Sequence, residues 1–227
     1  RRRPRNGTVP AATSTVGYPA RYIYEGVVAG VGVEPIVMFY NTKMIPVAPT
    51  GFADVLRPEY RNRLASTELA GTFVMAWHDW LEKTQGADIL RKLRAQNPKL
   101  YNGGAPVAQA VAAGEAAIGA FAIPSNVAPL IAAGAPIKFV VPNPALGVEF
   151  IVASFGWARR PNAARVFTDY VMSREAQTTW HGKGNSASPL SGIPGSLNIA
   201  NITSWDSTAW TAERASQYRL YWDKIFK

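Results

Sequence analysis

Apolar residues recur along this chain with two periods, one near two residues and one near three and a half, and short runs of each alternate. Residues 22–40, YIYEGVVAGVGVEPIVMFY, are dense in Val, Ile and aromatics with small breaks at Gly26, Gly30 and Gly32, and predict one or two buried strands. Thr50, ahead of Ala53 and Asp54, predicts an N-cap for a short helix that reaches Leu56 and stops at Pro58. Residues 64–66 predict a strand, and residues 71–83 a helix carrying Phe73, Met75, Trp77, Trp80 and Leu81. Residues 88–96 predict another helix, closed by Asn97-Pro98 because a residue before proline is pushed out of the helical region. Residues 137–141 and 150–154 predict two more strands. Strands and helices alternating at this spacing predict an α/β fold built on a doubly wound, mostly parallel sheet. After Gln177 the chain turns rich in Gly, Ser, Asn and Pro, which predicts a long surface loop. Residues 208–226 recover helical spacing through Trp210, Ala215, Tyr218, Tyr221, Trp222 and Ile225, and predict a closing helix that docks on the fold.

The most telling stretch is residues 97–119, NPKLYNGGAPVAQAVAAGEAAIG, which reads as a strand end, a glycine turn and a helix. Pro106 suits the first helical position, where its missing N–H is no loss and its φ is already helical. Gly103 and Gly104 ahead of it permit close backbone approach, and the amides that follow form an anion-friendly pocket. The helix runs through Val107, Ala108, Val111 and Ala112 and stops at Gly114, before the apolar run AAIGAFAI. Turn, short helix and buried strand in that order make an α/β binding edge.

That stretch resembles the ligand-lobe signature of ABC-transporter solute-binding proteins, in the branch that carries ferric iron, phosphonates and similar solutes. FYNTKMIPVAPTGFADVLRPEYRNRLA at residues 39–65 is similar to the family's entry into its second lobe. ARRPNAARVFTDYVMSREAQ at residues 158–177 resembles its late amphipathic helix, ending at a Ser-x-Glu-Ala-Gln turn. The three motifs are collinear. The resemblance implies a type 2 periplasmic-binding-protein-like fold with one complete lobe plus part of a second. Residues 38–147 are expected to form the second, ligand lobe, and residues 22–37 with 148–227 a partial first lobe with hinge-crossing strands. Residues 1–21 are expected to be a basic, disordered or truncated N-terminus, with the signal peptide and most of the first lobe lying outside this chain. The resemblance further implies a monomeric periplasmic protein that takes a small-molecule solute in an interlobe cleft and passes it to a membrane permease.

Composition narrows the field. The formal net charge of +9 is concentrated at the start, where Arg1, Arg2, Arg3, Arg5 and Arg21 face no acid. A basic arm of this kind can touch phosphates, which keeps a nucleic-acid or acidic-surface binding module as the reading of another class; no nucleic acid is expected as partner on the resemblance. The chain has no cysteine, so disulfides, thiolate metal sites and cysteine nucleophiles are excluded. No apolar run approaches the ~20 residues of a membrane-spanning helix. His78 and His181 are the two imidazoles. His78 lies in WHDW on a helix, where a surface role is expected, and His181 lies in a Gly-rich loop. Neither sits in a metal-binding spacing, and no nucleophile elbow or phosphate loop is present, so no enzyme, cofactor or metal site is expected.

In a doubly wound sheet, ligands meet the loops at the carboxyl ends of strands. Ser66, Thr67, Gly71 and Thr72 form one such loop and Tyr101, Asn102, Gly103, Gly104 and Ala105 a second. Ser66 and Thr72 equally suit helix capping; Gly103 and Gly104 could serve the turn alone, but ligand approach is the favoured reading because the resemblance points the same way. Tyr101 reads either as a ligand-facing phenol or as a rim residue. Ser125 and Asn126 emerge from the apolar run where a strand ends, and Glu149 precedes a strand and suits a cationic group. The iron-carrying relatives are marked by an adjacent tyrosine pair after the AAIG-type strand; AFAIPSN stands there in this sequence, so ferric iron is the alternative cargo rather than the first.

Overall fold

The β-rich run at residues 22–40 divides into β1 (Ile23–Tyr24), β2 (Val28–Pro35) and β3 (Val37–Asn41) in the computed structural model, which describes residues 17–24 and 28–227. The Arg-rich start and Gly26 therefore fall outside the described residues. The remaining strands are β4 (Leu64–Thr67), β5 (Lys99–Tyr101), β6 (Ile118–Ala122), β7 (Ile137–Val140), β8 (Ala145–Ala153) and β9 (Ile202–Ser204). The helices are α1 (Thr72–Gln85), α2 (Ile89–Ala95), α3 (Gly104–Ala112), α4 (Pro124–Ala132), α5 (Pro161–Met172), α6 (Arg174–His181) and α7 (Ala212–Phe226). By its contacts the chain divides into two units, one holding residues up to Glu34 with Glu149–Ala200, the other Pro35–Val148 with Asn201–Lys227.

The second of these units is built on a five-stranded sheet in the order β5-β4-β6-β3-β7. β4 runs parallel to β5 and β6, and β3 runs antiparallel to both β6 and β7, so four of the five strands share one direction. Every residue of β3 is buried because successive side chains face two different layers. Met38 and Tyr40 join Leu64, Trp77, Leu81 and Phe121 on one face. Val37 and Phe39 join Ala65, Val107, Val111 and Val127 on the other. This is the doubly wound α/β arrangement read from the sequence.

The C-terminal helix belongs to this unit, which corrects the expectation that residues 201–227 join the first lobe. Its Trp222 and Phe226, one helical turn apart, are buried in the same core as Trp77 and Leu81 of α1. Full burial of side chains of this size stabilises by roughly 1.5–3 kcal/mol each. The hydroxyls of Tyr218 and Tyr221 both donate to Glu82 of α1, at 2.9 and 2.5 Å. The helical period of residues 208–226 announces a docked helix; it does not say onto which body.

Three smaller expectations change. Residues 52–56 form a 3-10 turn whose N-cap is Gly51, and Thr50 is the donor there: its N–H and hydroxyl both bond the carboxylate of Asp54. Residues 174–177 are helix rather than turn: Ser173 is the C-cap of α5 and also the N-cap of α6, its hydroxyl accepting the Ala176 N–H. His181 is the last residue of α6, wholly buried. Its Nε2 lies 3.0 Å from the Val31 carbonyl, which can only accept, so that nitrogen carries the proton and Nδ1 accepts from the Ser186 hydroxyl at 2.6 Å. Gln177, one turn earlier, donates to Val31 and Val171 carbonyls at 2.9 Å each and accepts from Ser188. Burial holds the His181 ring below its ordinary pKa.

His78 is the fourth correction. It is 1 % exposed rather than on the helix surface, because α1 is covered on a second face by α7. Its ring centroid lies 4.7 Å from Trp77, 6.3 Å from Trp222 and 6.2 Å from Phe226. Burial pushes its pKa down from 6.5 to about 3. Between those values the unfolded chain binds a proton that the folded chain refuses. Stability is therefore full above the unfolded value and falls by about 1.4 kcal/mol per pH unit as pH drops towards the folded one. Urea unfolding of wild type and His78→Leu across pH 7 to 4 should show the wild type losing stability faster; parallel losses would show that this ring is not the acid-sensitive group.

Candidate functional site

Three adjacent parallel strands, β5, β4 and β6, end on the same side of the sheet, and each feeds a helix within a few residues. The first-turn amides of a helix have no partner within it, so three such starts gather backbone donors at one sheet edge. The loops are tied to one another. The Glu68 N–H donates to the Tyr101 carbonyl at 2.9 Å, and the Gly103 N–H donates to the Thr67 hydroxyl at 3.3 Å. That hydroxyl in turn donates to the Glu68 carbonyl at 3.0 Å. Thr67 is wholly buried, so its side chain latches the β4 and β5 loops and has no face left for a solute. Ser66 is likewise buried inside β4, at 5 % exposure.

The helix starts differ in what they offer. Gly71 precedes α1 in extended conformation and no side chain caps the helix, so the amides of Thr72, Phe73 and Val74 remain for an outside acceptor. Thr72 is half-buried at the first helical position and does not serve as the N-cap. In α3 the N-cap is Gly103, with φ of 102°, and the first helical residue is Gly104. Pro106 thus stands third in the helix rather than first. The Gly103 amide is already shared between the Tyr101 carbonyl, at 3.0 Å, and the Thr67 hydroxyl, and Pro106 has no N–H, so Gly104 and Ala105 are the donors of this turn. Asn102 and Ala105 are exposed. In α4 Pro124 opens the helix, Ser125 is exposed, and the Asn126 amide bonds the Ile123 carbonyl at 2.9 Å.

Asn126 joins the second loop to the third. A Cβ on Gly104 would meet Asn126 Oδ1 at 2.8 Å and the Ala122 Cα at 3.0 Å, so α3 begins in van der Waals contact with the end of β6. Asn126 Oδ1 also accepts the Ile123 N–H at 3.4 Å. Ser66 to Thr72, Tyr101 to Ala105 and Ser125 with Asn126 therefore lie together. One expected side chain turns away from this edge. The Tyr101 hydroxyl donates to Glu115 Oε2 at 3.2 Å, beyond the far end of α3, and partial burial with that carboxylate raises its pKa. Glu149 belongs to the other unit, where its carboxylate accepts the Tyr24 hydroxyl at 2.5 Å and lies against Gly30.

Sequence reasoning missed the latch at Thr67 and the role of Ala122. Leu-Ala-Ser-Thr reads as strand, and nothing in it says which hydroxyl meets a glycine amide 36 positions on. The Ile-Pro-Ser-Asn string did carry a signal for the third helix start, since proline at the first helical position followed by a polar pair is a start pattern.

Gly103→Ala should lower unfolding free energy by about 1–3 kcal/mol, because a β-carbon is strained at that positive φ. Gly71→Ala, with extended backbone and open space around it, should cost a few tenths at most. Urea denaturation of the two variants checks the contrast, and equal losses would contradict the assigned turn geometry.

The sequence model of the bacterial extracellular solute-binding protein family matches residues 13–185. No curated protein matches the sequence. Among solved structures, the substrate-binding protein of an ABC transporter from Agrobacterium tumefaciens is similar over 96% of this chain and 73% of its own, with a TM-score of 0.75 and 16% identity. The periplasmic binding protein AfuA from Actinobacillus pleuropneumoniae, with fructose-6-phosphate bound, is similar over 97% of this chain and 76% of its own, with a TM-score of 0.64 and 16% identity. Apo ferric ion-binding protein A from Pasteurella haemolytica is similar over 97% of this chain and 76% of its own, with a TM-score of 0.66 and 13% identity. At such identities the likeness is one of fold, and it agrees with the α/β layers described above. With three-quarters of its length under the family's model, this chain belongs to the bacterial extracellular solute-binding proteins.

Proposed function

We propose that this protein captures a small anionic solute, a phosphonate, phosphorylated or carboxylate compound, at the carboxyl ends of β4, β5 and β6, and delivers it to an ABC-transporter permease from the periplasm. The observation that carries this reading is the latched convergence of the loops, with Gly103 bonded to Thr67 and Gly104 packed on Ala122 and Asn126. It gathers the starts of α1 and α3 at one edge of the sheet. A helix N-terminus favours an anionic group by roughly 0.3–1 kcal/mol when exposed and up to ~2 when partly buried. Two acting together with the exposed side chains of Asn102 and Ser125 make a solute cradle. The family's transport role and the phosphorylated sugar named for AfuA agree with this chemistry.

Iron is not preferred, because Ile123-Pro124-Ser125-Asn126 occupies the place of the tyrosine pair that marks the iron carriers. Amide NMR during titration with fructose 6-phosphate, methylphosphonate and citrate provides the test. The peaks of Thr72, Phe73, Gly104 and Ala105 should move in saturable fashion with at least one of them, and Gly104→Val should weaken that binding at least tenfold. Shifts confined to other regions, or none with any of the three, would falsify the proposal, and a ferric–phenolate absorption band on adding iron would favour the other cargo.

A further inference from the structure

A second site lies away from these loops, in the groove between α2 and α7. The groove has a volume of ≈ 280 Å³ and is lined by Arg91, Arg94, Tyr221, Lys224 and Ile225. Arg91 and Arg94 stand three apart on α2, and Tyr221 and Lys224 three apart on α7, so each helix presents its pair on one face. Cations thus project from both walls over an apolar strip, and no acid lines the groove.

Among the described residues, the cations of this groove carry no ion pair of their own. Arg57, Lys83, Lys92, Arg214 and Lys227 each sit within 4 Å of a carboxylate. Among the described residues Arg91, Arg94 and Lys224 have no such partner, and the contact found for Arg94 is a long one, 3.4 Å, to the Asn97 side chain. The nearby acids are already engaged: Asp88 by Lys92, Asp223 by Lys227, and Glu82 by the hydroxyls of Tyr218 and Tyr221. Among the described residues, no carboxylate therefore pairs with the cations on the two walls of this groove.

We infer that this groove is a docking surface for an acidic, amphipathic segment of a protein partner, with carboxylates meeting Arg91, Arg94 and Lys224 and an apolar side chain resting on Tyr221 and Ile225. Arginine fits carboxylates bidentately, and two arginines on successive turns match acids three or four apart on a partner helix. Nucleic acid fits less well. The cationic track is one helical turn long on each wall, and the tyrosine is held by Glu82 instead of being available as a stacking platform. The inference does not depend on which solute the loops hold.

The test uses the 227-residue chain and a fluorescein-labelled 14-residue helical peptide of alternating Glu pairs and Leu, read by anisotropy at low salt. Binding is expected, falling at least tenfold in Arg91→Glu/Arg94→Glu and, independently, in Lys224→Glu. The charge-matched Arg159→Glu/Arg165→Glu, in the other unit, should bind as wild type does. A peptide with Lys in place of Glu should bind the reversed variant better than the wild type. Thermal melts of every variant confirm folding, since all the substituted side chains are exposed. Absent peptide binding, or equal loss in the control variant, would overturn the inference. So would pyrophosphate displacing the peptide stoichiometrically, which would mark a small-anion site, or a single-stranded DNA 12-mer binding more tightly with the same variant dependence.

Discussion

The start of α3 depends on a contact that tolerates no side chain. Gly104 lies so close to the end of β6 that a β-carbon would press on the Ala122 backbone, and Gly103 before it turns at a φ only glycine adopts with ease. These two residues let the β5 loop descend onto β6 while its preceding amide reaches Thr67 of β4. With a β-carbon at Gly104, α3 would have to stand off the end of β6. The geometry of this sheet edge is therefore a consequence of backbone proximity first and of polar side chains second.

That ordering decides what the edge can recognise. Gly103, Asn126 and Thr67, each a reasonable ligand contact when read along the chain, spend their polar groups on holding the loops in register. The donors left over are main-chain N–H groups, fixed in direction and cost-free to organise when a solute arrives. Such donors select for acceptor oxygens with charge and are indifferent to the rest of the molecule. Specificity among anions would have to come from the exposed residues around them, of which Asn102, Ala105 and Ser125 stand on this unit.

Much of this was legible in the sequence, and for identifiable reasons. The alternation of short apolar runs with helical periods gave the α/β class, and the glycine pair before a small-residue helix marked the turn into α3. What could not be read was partnership at a distance. The residues of α1 show an apolar stripe, but the burial of His78 requires knowing that α7 covers a second face. Trp222 and Phe226 announce a docking helix without naming its host, so the tail was placed in the wrong unit. Pro106 fits the first helical position by propensity, yet Gly104 and Ala105 adopt helical conformation ahead of it because β6 supports them from below. In each case local preference was right about the element and silent about its neighbour.

Two buried clusters, one in each unit, handle polarity in opposite ways. Around Val31, Gln177 and His181 meet carbonyls and serine hydroxyls on both sides, a network in which donors and acceptors match. Around Trp77 the buried indole nitrogens of Trp77 and Trp222 and Nδ1 of His78 find no partner, which leaves a core held by area and ring packing alone. Matched networks fix a unique geometry, whereas apolar packing tolerates small slips. The α1–α7 seam instead takes its register from its rim, where two tyrosine hydroxyls converge on Glu82 and Arg214 reaches Asp79 at 3.2 Å. A seam that is apolar inside and polar at its edge gains its stability from burial and its alignment from those few bonds, and loss of Glu82 would leave the helix attached but free to shift.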